Sequence, residues 1–431
     1  MLLNNKKGQV QCINDEILEK MQLKFRYKFL NNNLMALLKP EDYKFLREVE
    51  KFYLNFEKKY NITHNEDFYE WFPEIGKAGL LTRINHFNNF DLNYEPYGFK
   101  AEFLRMLATD FFDPQMTMSM GACVLAVNPI LLHNEGVDVR LNALKELVTG
   151  QKIGCICITE PERGSDAVHM VTTCDEQKNG AYLINGQKIY QTNGPKADWA
   201  IIYACSEKDN GNTMAQFLVD TSWDGWDAER VNIPWTPRIH IGKETLTNLK
   251  VPKEYVLGAP GLGREYLFEG LNLERLGGCC LYVSEAWNAV THAIIYANMR
   301  KQFKQEILKF QGVGFTLTDL WAKTMNLTLA LLHISELVDN TLKKNDGVLP
   351  KAFNLSLGVY VSQLKYQCAK LSERVCYESA NLMGGAGVCD NTLMQDLLGI
   401  SRIQEIGAGT RQIQQYIMSY SLRRLFKIFI K

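Results

Sequence analysis

The sequence has no surplus of charge, no cysteine framework and no unbroken apolar run, and each absence removes a class of protein. Lys plus Arg equals Asp plus Glu at 48 each, so nothing electrostatic points to nucleic acid or an anionic membrane as the main partner. The 11 cysteines show neither paired spacing nor a repeated CxxC. That pattern argues against disulfides and against a zinc site, and no metal is expected. Cys155, Cys157, Cys279 and Cys280 sit in apolar runs, as small buried hydrophobes do. A reduced, cytoplasmic compartment is expected (an organelle matrix if the source is eukaryotic). No stretch reaches the uninterrupted apolar length of a bilayer span. The opening MLLNNKKGQVQC lacks a continuous apolar core, so no signal peptide is expected. Residues 1–35 read as an irregular or helical extension, because Asp15, Glu16 and Glu19 speak against a targeting role for Lys24, Arg26 and Lys28. The dinucleotide fingerprint and the P-loop are missing too, against a Rossmann or nucleotide-hydrolase reading.

What is present is a chain of 431 residues, 46% hydrophobic, enough for about two or three domains. Its texture falls into three zones after the extension. Residues 36–152 are helical, with Tyr43, Leu46, Val49 and Tyr53 at steps of three and four. Further helical runs are predicted from Ala122 to Leu132, bent or broken near Pro129, and from Val137 to Leu147. Residues 153–264 turn to β. GCICIT reads as a buried strand, and Asn185-Gly186 reads as the type I′ turn of a hairpin between Tyr182-Leu-Ile and Gln187-Lys-Ile-Tyr. Short strands separated by turn residues suggest a small barrel or sandwich. Residues 265–431 are helical again, and the stripe from Leu273 to Ala297 marks a long helix in a bundle. Thr410 has the side chain to cap the last helix. The fold class is therefore α+β and multi-domain: an N-terminal α-helical domain, a middle β-barrel or sandwich, and a C-terminal helical bundle.

Three places could carry chemistry. The loop Thr159-Glu-Pro-Glu-Arg-Gly-Ser-Asp166 leaves a buried strand, and Tyr190-Gln-Thr-Asn-Gly194 ends another. Composition leaves either readable as a plain turn, while together on one β unit they make a candidate cofactor face. Asn381–Gly387 and Ile406–Thr410 are Gly-rich breaks in helical sequence, readable as helix–helix turns or as anion sites at helix N-termini. Glu274 lies beside the apolar stripe of the long helix, with Gly278 a turn further on the same face. It is either an ordinary surface glutamate or a carboxylate next to something that approaches the backbone closely.

Taken in order, these segments resemble the acyl-CoA dehydrogenase family, from about Asp42 to Arg424 and most strongly from Gly154 onward. The residues that carry the resemblance are CITEPERGSD (157–166), YQTNGPKAD (190–198), RKQFKQEILKFQ (300–311), NLMGGAG (381–387) and EIGAGTRQIQ (405–414). Five motifs in register are a specific signal. The resemblance implies a C-terminal four-helix bundle and an FAD cofactor. Thr159 and Ser165 would lie along the flavin and the thioester's pantetheine, Tyr190 beside the flavin, and the Thr192 hydroxyl near flavin N5. Arg300 and Gln311 would hold the pyrophosphate and adenine side of FAD, in a neighbouring subunit. Asn381, Gly384, Gly385, Thr410 and Gln412 would complete that site, with Ser165, Asn272, Arg275, Ala408 and Gly409 facing substrate. A homotetramer or homodimer, with an electron-transfer flavoprotein as acceptor, is implied as well.

The base is where this chain departs from many relatives. The glutamate they carry just before the final Gly-Thr is replaced here by Ala408. A branch similar to isovaleryl-CoA dehydrogenase places its base in a sequence like LNLERL, which matches Glu274; Glu405 is the competing carboxylate. The resemblance then implies α,β-dehydrogenation of an acyl-CoA to the trans-2-enoyl thioester. Glu274 would take the α-proton and the flavin the β-hydride. Gly407 and Ala408 leave space beside the reacting carbons, so a short branched or cyclic acyl chain is expected. The alternatives are a dehydrogenase of carrier-protein-bound acyl groups and a catalytically silent flavin-binding relative. Tyr190-Gln191 in place of Trp-Ile, Lys304 in place of Gly, Gly399-Ile400 in place of Arg-Asp, and Asn272 and Asn381 are further departures.

Overall fold

The computed structural model describes residues 13–60, 67–82, 98–133, 135–206, 213–345, 349–389 and 392–429. Helices come first in the chain: α1 (Asp15–Lys20), α2 (Leu23–Leu34), α3 (Pro40–Tyr60), α4 (Phe72–Lys77), α5 (Phe99–Phe112), α6 (Pro114–His133) and α7 (Asp138–Val148). Strands follow: β1 (Gly154–Cys157), β2 (Thr173–Glu176), β3 (Tyr182–Thr192), β4 (Trp199–Cys205), β5 (Met214–Asp220), β6 (Trp226–Val231), β7 (Ile241–Val251) and β8 (Val256–Leu257). The chain closes with α8 (Gly263–Met299), a small hairpin β9 (Lys301–Gln302) and β10 (Gln305–Glu306), and then α9 (Gln311–Lys344), α10 (Lys351–Met383), α11 (Met394–Ile406) and α12 (Arg411–Phe429). Helical, sheet and helical zones thus follow in the expected order. By compactness the chain forms two units, one of Met1–Glu66, Gly98–Met118 and Arg275–Lys431, the other of Asp67–Tyr97 and Ser119–Glu274.

In the second unit eight strands form one mixed sheet in the order β6-β7-β3-β2-β4-β5-β8, with β1 pairing parallel to β4. β4 is buried along its whole length, which is why it reads as an unbroken apolar run. Ala200, Ile202 and Ala204 share one core with Phe217 and Val219 of β5 and with Leu246, Leu249 and Val251 of β7. β7 and β5 stand apart in the strand order, so the sheet curls around that core. Trp199, Ile201 and Tyr203 face the other way, onto Ala126, Val127 and Ile130 of α6, Leu144 and Leu147 of α7, and Leu267 of α8.

Two sequence expectations need correction here. Asn185-Gly186 is not a hairpin turn: β3 runs straight through it, with a register shift against β7 between Ile184 and Gly186. The eleven-residue partner β7 holds the segment extended, and Gly186 (φ 150°) marks a bulge where a Cβ would fall 2.6 Å from Thr172 Oγ1. The hairpin turn is the preceding Asn-Gly, Asn179-Gly180. Gly180 takes φ 78°, and the Gln177 amide donates to Ala181 O at 2.8 Å. Secondly, α6 begins at Pro114 and continues past Pro129 to His133. Pro129 lies near the C-terminal end, so the helix loses one i→i−4 bond and has only about one turn left to complete. Among the described residues α6 alone is long and apolar enough to cross a membrane, and 67% of its apolar window is buried inside the protein, as in a core helix.

The helical unit is tied together by buried polar groups. The Arg26 guanidinium donates to Met21 O at 2.9 Å, Phe111 O at 2.5 Å and Asn288 Oδ1 at 3.1 Å, joining α2 to α5 and α8. Residues 15–34 are thus integral helices of this unit. Trp287 Nε1 donates to Thr328 Oγ1 between α8 and α9, and Ser372 of α10 to Glu285 of α8. Nine described cysteines are free and buried. Cys389 is disulfide-bonded, which corrects the expectation of no disulfides.

Candidate active site

Glu274, half-buried, lies in the fourth turn of α8. Its side chain lines a cavity of about 20 Å³ in the sheet unit, walled by Ile156, Ile158, Leu267 and Leu271 and bordered by His133, Tyr203 and Gln216. The His133 ring lies 3.9 Å from that of Tyr266, and its Nε2 is 3.8 Å from Glu269. Burial pulls His133 down to about 4 and raises Glu269, so both lean toward their neutral forms. Burial, reinforced by the charges of Glu274 and Glu269, holds the Tyr203 phenol well above its ordinary value.

The same unit brings Thr159, Tyr190 and Thr192 together. The Ile189 amide and the Gln191 side chain both donate to Thr159 O, at 2.9 and 3.1 Å, and fasten the loop after β1 to the end of β3. Tyr190 sits at a second bulge in β3, with φ 68° and its side chain 61% exposed. Thr192 pairs with Ile241 at the strand's end. Ser165 lies on the exposed part of the loop. Within that loop Glu160 is the anchor. It is fully buried, pairs with Lys188 at 2.9 Å and accepts the Val171 and Thr172 amides at 2.6 and 2.9 Å. Burial raises its carboxyl, but Lys188 and these bonds outweigh that and hold it below its ordinary value.

Sequence reasoning stopped at Thr192 and missed the residue after it. Asn193 is fully buried with φ 72°. Its Oδ1 accepts from Tyr69 (2.8 Å) and Ser119 (2.6 Å), and its Nδ2 donates to Ser119 O (3.0 Å) and Gly154 O (3.2 Å). The available signal was an Asn-Gly pair closing an apolar strand, where Asn tolerates the left-handed region.

In the helical unit Arg275 is buried and its Nε reaches Ala408 O at 3.5 Å. Ala408 (φ 52°) and Gly409 (φ 89°) form the turn before α12. Lys365 Nζ and Gln414 Nε2 donate to Gly409 O at 2.8 and 2.9 Å, and Thr410 Oγ1 accepts the Ile413 amide at 3.4 Å. Arg275, Ala408, Gly409 and Thr410 are therefore one cluster, while Gln412 points outward. Glu405 is committed elsewhere, to Arg402 at 2.6 Å and Arg411 at 2.5 Å. Asn272 is buried in α8. Asn381, Gly384 and Gly385 are exposed at the end of α10, and a Cβ on either glycine would meet nothing within 4 Å. Arg300 and Gln311 are exposed on either side of the β9–β10 hairpin. Its turn residues Phe303 (φ 50°) and Lys304 (φ 66°) both take the left-handed region. Among the described residues no cluster of His, Cys, Asp and Glu could hold a metal.

Glu274 thus lines a small cavity with apolar walls beside the sheet, and the glycine turns of the helical unit follow α10 and α11. Residues 155–236 match the middle domain of acyl-CoA dehydrogenases and residues 261–422 the C-terminal domain. The chain is 30% identical over 304 residues to caffeyl-CoA reductase-Etf complex subunit CarC of Acetobacterium woodii, across 68% of this chain and 74% of that one. It belongs to the acyl-CoA dehydrogenase family, oxidoreductases acting on CH–CH groups. Mitochondrial isovaleryl-CoA dehydrogenase of Oryza sativa subsp. japonica is 27% identical over 306 residues, 70% of each chain. A Bacillus anthracis acyl-CoA dehydrogenase solved with FAD has a TM-score of 0.79 and 25% identity, over 90% of this chain and 68% of that one.

Proposed function

We propose that this chain is an FAD-dependent enzyme that dehydrogenates a short branched or cyclic acyl-CoA to its trans-2-enoyl thioester, with Glu274 as the base. The observation that carries the reading is Glu274 itself, a half-buried carboxylate lining a cavity of about 20 Å³ with apolar walls. Such walls limit the water around the base. The absence of a carboxylate at Ala408 and the engagement of Glu405 with two arginines support the same assignment.

The residues present fit FAD. Thr192 stands at the end of β3 and Thr159 in the loop fastened to that end, beside the exposed Tyr190, and they would face the flavin ring. Arg300 supplies a cation for the pyrophosphate, while Gly384, Gly385, Asn381, Thr410, Gln311 and Gln412 offer open backbone and polar groups. When bound, the flavin accepts the β-hydride. Glu274 takes the α-proton, and Asn272, Arg275, Ser165, Ala408 and Gly409 orient the thioester. The Etf in the name of the Acetobacterium relative supports an electron-transfer flavoprotein as partner. That relative is named a reductase, which favours a second reading in which the same site runs toward enoyl reduction.

Anaerobic addition of isovaleryl-CoA should bleach the yellow protein, and Glu274→Gln should retain the flavin while slowing bleaching by roughly 10²–10⁴-fold. Unchanged bleaching in that variant would remove Glu274 from the chemistry. Higher kcat/KM for straight long chains would remove the chain-length assignment. Reoxidation of the reduced protein by an enoyl thioester, faster than bleaching by the saturated one, would favour the reductase reading.

A further inference from the structure

Tyr203 and Gln216 face each other across β4 and β5, two strands that are otherwise apolar and almost wholly buried. Each is 1% exposed. The Gln216 amide donates to the Tyr203 hydroxyl at 2.5 Å. That bond leaves Gln216 Oε1 without a partner, and the phenolic proton is still available to donate. Exchanging the amide oxygen and nitrogen reverses the roles but leaves the same remainder, two buried donor hydrogens and one buried acceptor. Both residues line the cavity that Glu274 lines. A Cβ on Gly270, one helical turn before Glu274, would lie 3.7 Å from the Tyr203 hydroxyl. Gly270 is on the side toward which the Glu274 side chain leans, so the pair and the carboxylate border the same cavity.

We infer that the acyl chain taken by this site carries a hydroxyl group, held between Tyr203 and Gln216. The inference rests on Glu274 being the base, which puts the acyl chain in this cavity. A hydroxyl is the smallest group that both donates and accepts, and the cavity has little room. A hydrocarbon tail would leave both protein groups unpaired in a dry site, which is costly. A ketone answers only the donor. A carboxylate would bring a second negative charge toward Glu274 in a low-dielectric pocket.

The test compares butyryl-CoA with 4-hydroxybutyryl-CoA, and valeryl-CoA with 5-hydroxyvaleryl-CoA. Binding is measured by calorimetry on the FAD-loaded Glu274→Gln protein, where no turnover follows. The better-placed hydroxyl should tighten binding roughly 10- to 100-fold over its parent chain. Adding Tyr203→Phe or Gln216→Leu should bring that ratio close to one, with the parent thioester binding at least as tightly as before because fewer buried groups are left unpaired. Equal binding within both pairs, or a ratio untouched by Tyr203→Phe, overturns the inference and leaves the pair to an internal water. The comparison within the Glu274→Gln protein decides the matter even if a Tyr203 or Gln216 variant fails to fold. Bleaching of the wild-type protein without a hydroxyl preference sinks the hydroxyl alone. A hydroxyl preference in binding without bleaching sinks the Glu274 chemistry alone. Binding of no thioester sinks both.

Discussion

Asn193 shows how much one side chain can fix. Its amide supplies an acceptor for the hydroxyls of Tyr69 and Ser119, and it holds a left-handed turn next to Thr192. Asn193→Ala strands those two buried hydroxyls and strains the backbone, and should cost about 2 kcal/mol or more. Asn193→Gly keeps the φ angle but loses the bonds, so it should be less harmful by about 1 kcal/mol. Denaturation midpoints of the two variants check the order. Equal loss would mean that the turn carries no strain. Glu244 makes a different demand. It is fully buried, neither oxygen has a partner among the described residues, and a Cβ on Gly194 or Gly242 would collide with it. Burial raises its carboxyl from 4.5 to about 8. Between those values the native state binds more protons than the unfolded chain, so this group's contribution is full below 4.5 and is lost as pH rises through 8. Glu244→Gln should therefore flatten the decline in stability between pH 4.5 and about 8. Melting curves with the same slope as the wild type would remove Glu244 from the balance.

At the scale of elements, the loop after β1 is held to β3 by Glu160 and Lys188, both fully buried. Lys188→Met would leave a carboxylate without its cation and should cost about 3–5 kcal/mol, whereas Lys188→Met with Glu160→Met should cost clearly less. Additive losses in this double-mutant cycle would show that the two charges act independently. What could be read from the chain follows the same physics. β4 was legible because a strand buried on both faces has no polar alternation to mask it. α8 was legible because its apolar stripe persists for many turns, and it carried Glu274 to a definite place. The Asn-Gly pairs were not separable by composition: one closes the β2–β3 hairpin, and the other is pulled straight by its pairing to β7. Tyr203 and Gln216 went unread for a related reason. A polar residue in an apolar strand announces a buried hydrogen bond, but only the fold shows which bond is made and which is left over. Ser165 and Gln412 stand in matching motifs, and their side chains are exposed.

At the scale of the molecule, the bundle leaves large apolar side chains facing outward on its longest helices. Phe315 of α9, Leu355 and Tyr377 of α10, and Tyr416 and Tyr420 of α12 are each more than half exposed. Tyr416 and Tyr420 are one turn apart and so share a face. Apolar surface of that kind on a soluble protein calls for a covering partner. The resemblance to the family adds that Arg300 and Gln311 serve FAD across a subunit boundary. We therefore expect the wild-type protein to sediment as a dimer or tetramer at micromolar concentration. Tyr416→Lys with Tyr420→Lys puts two charges on the shared face and should shift it toward monomer without loss of helix by circular dichroism. If the neighbouring subunit completes the cofactor site, flavin should dissociate in step with the assembly, seen as a rise in free-flavin fluorescence at the concentration where the sedimentation coefficient falls. A monomeric wild-type protein that keeps its flavin on dilution would separate the two, and the outward-facing tyrosines would then need another occupant.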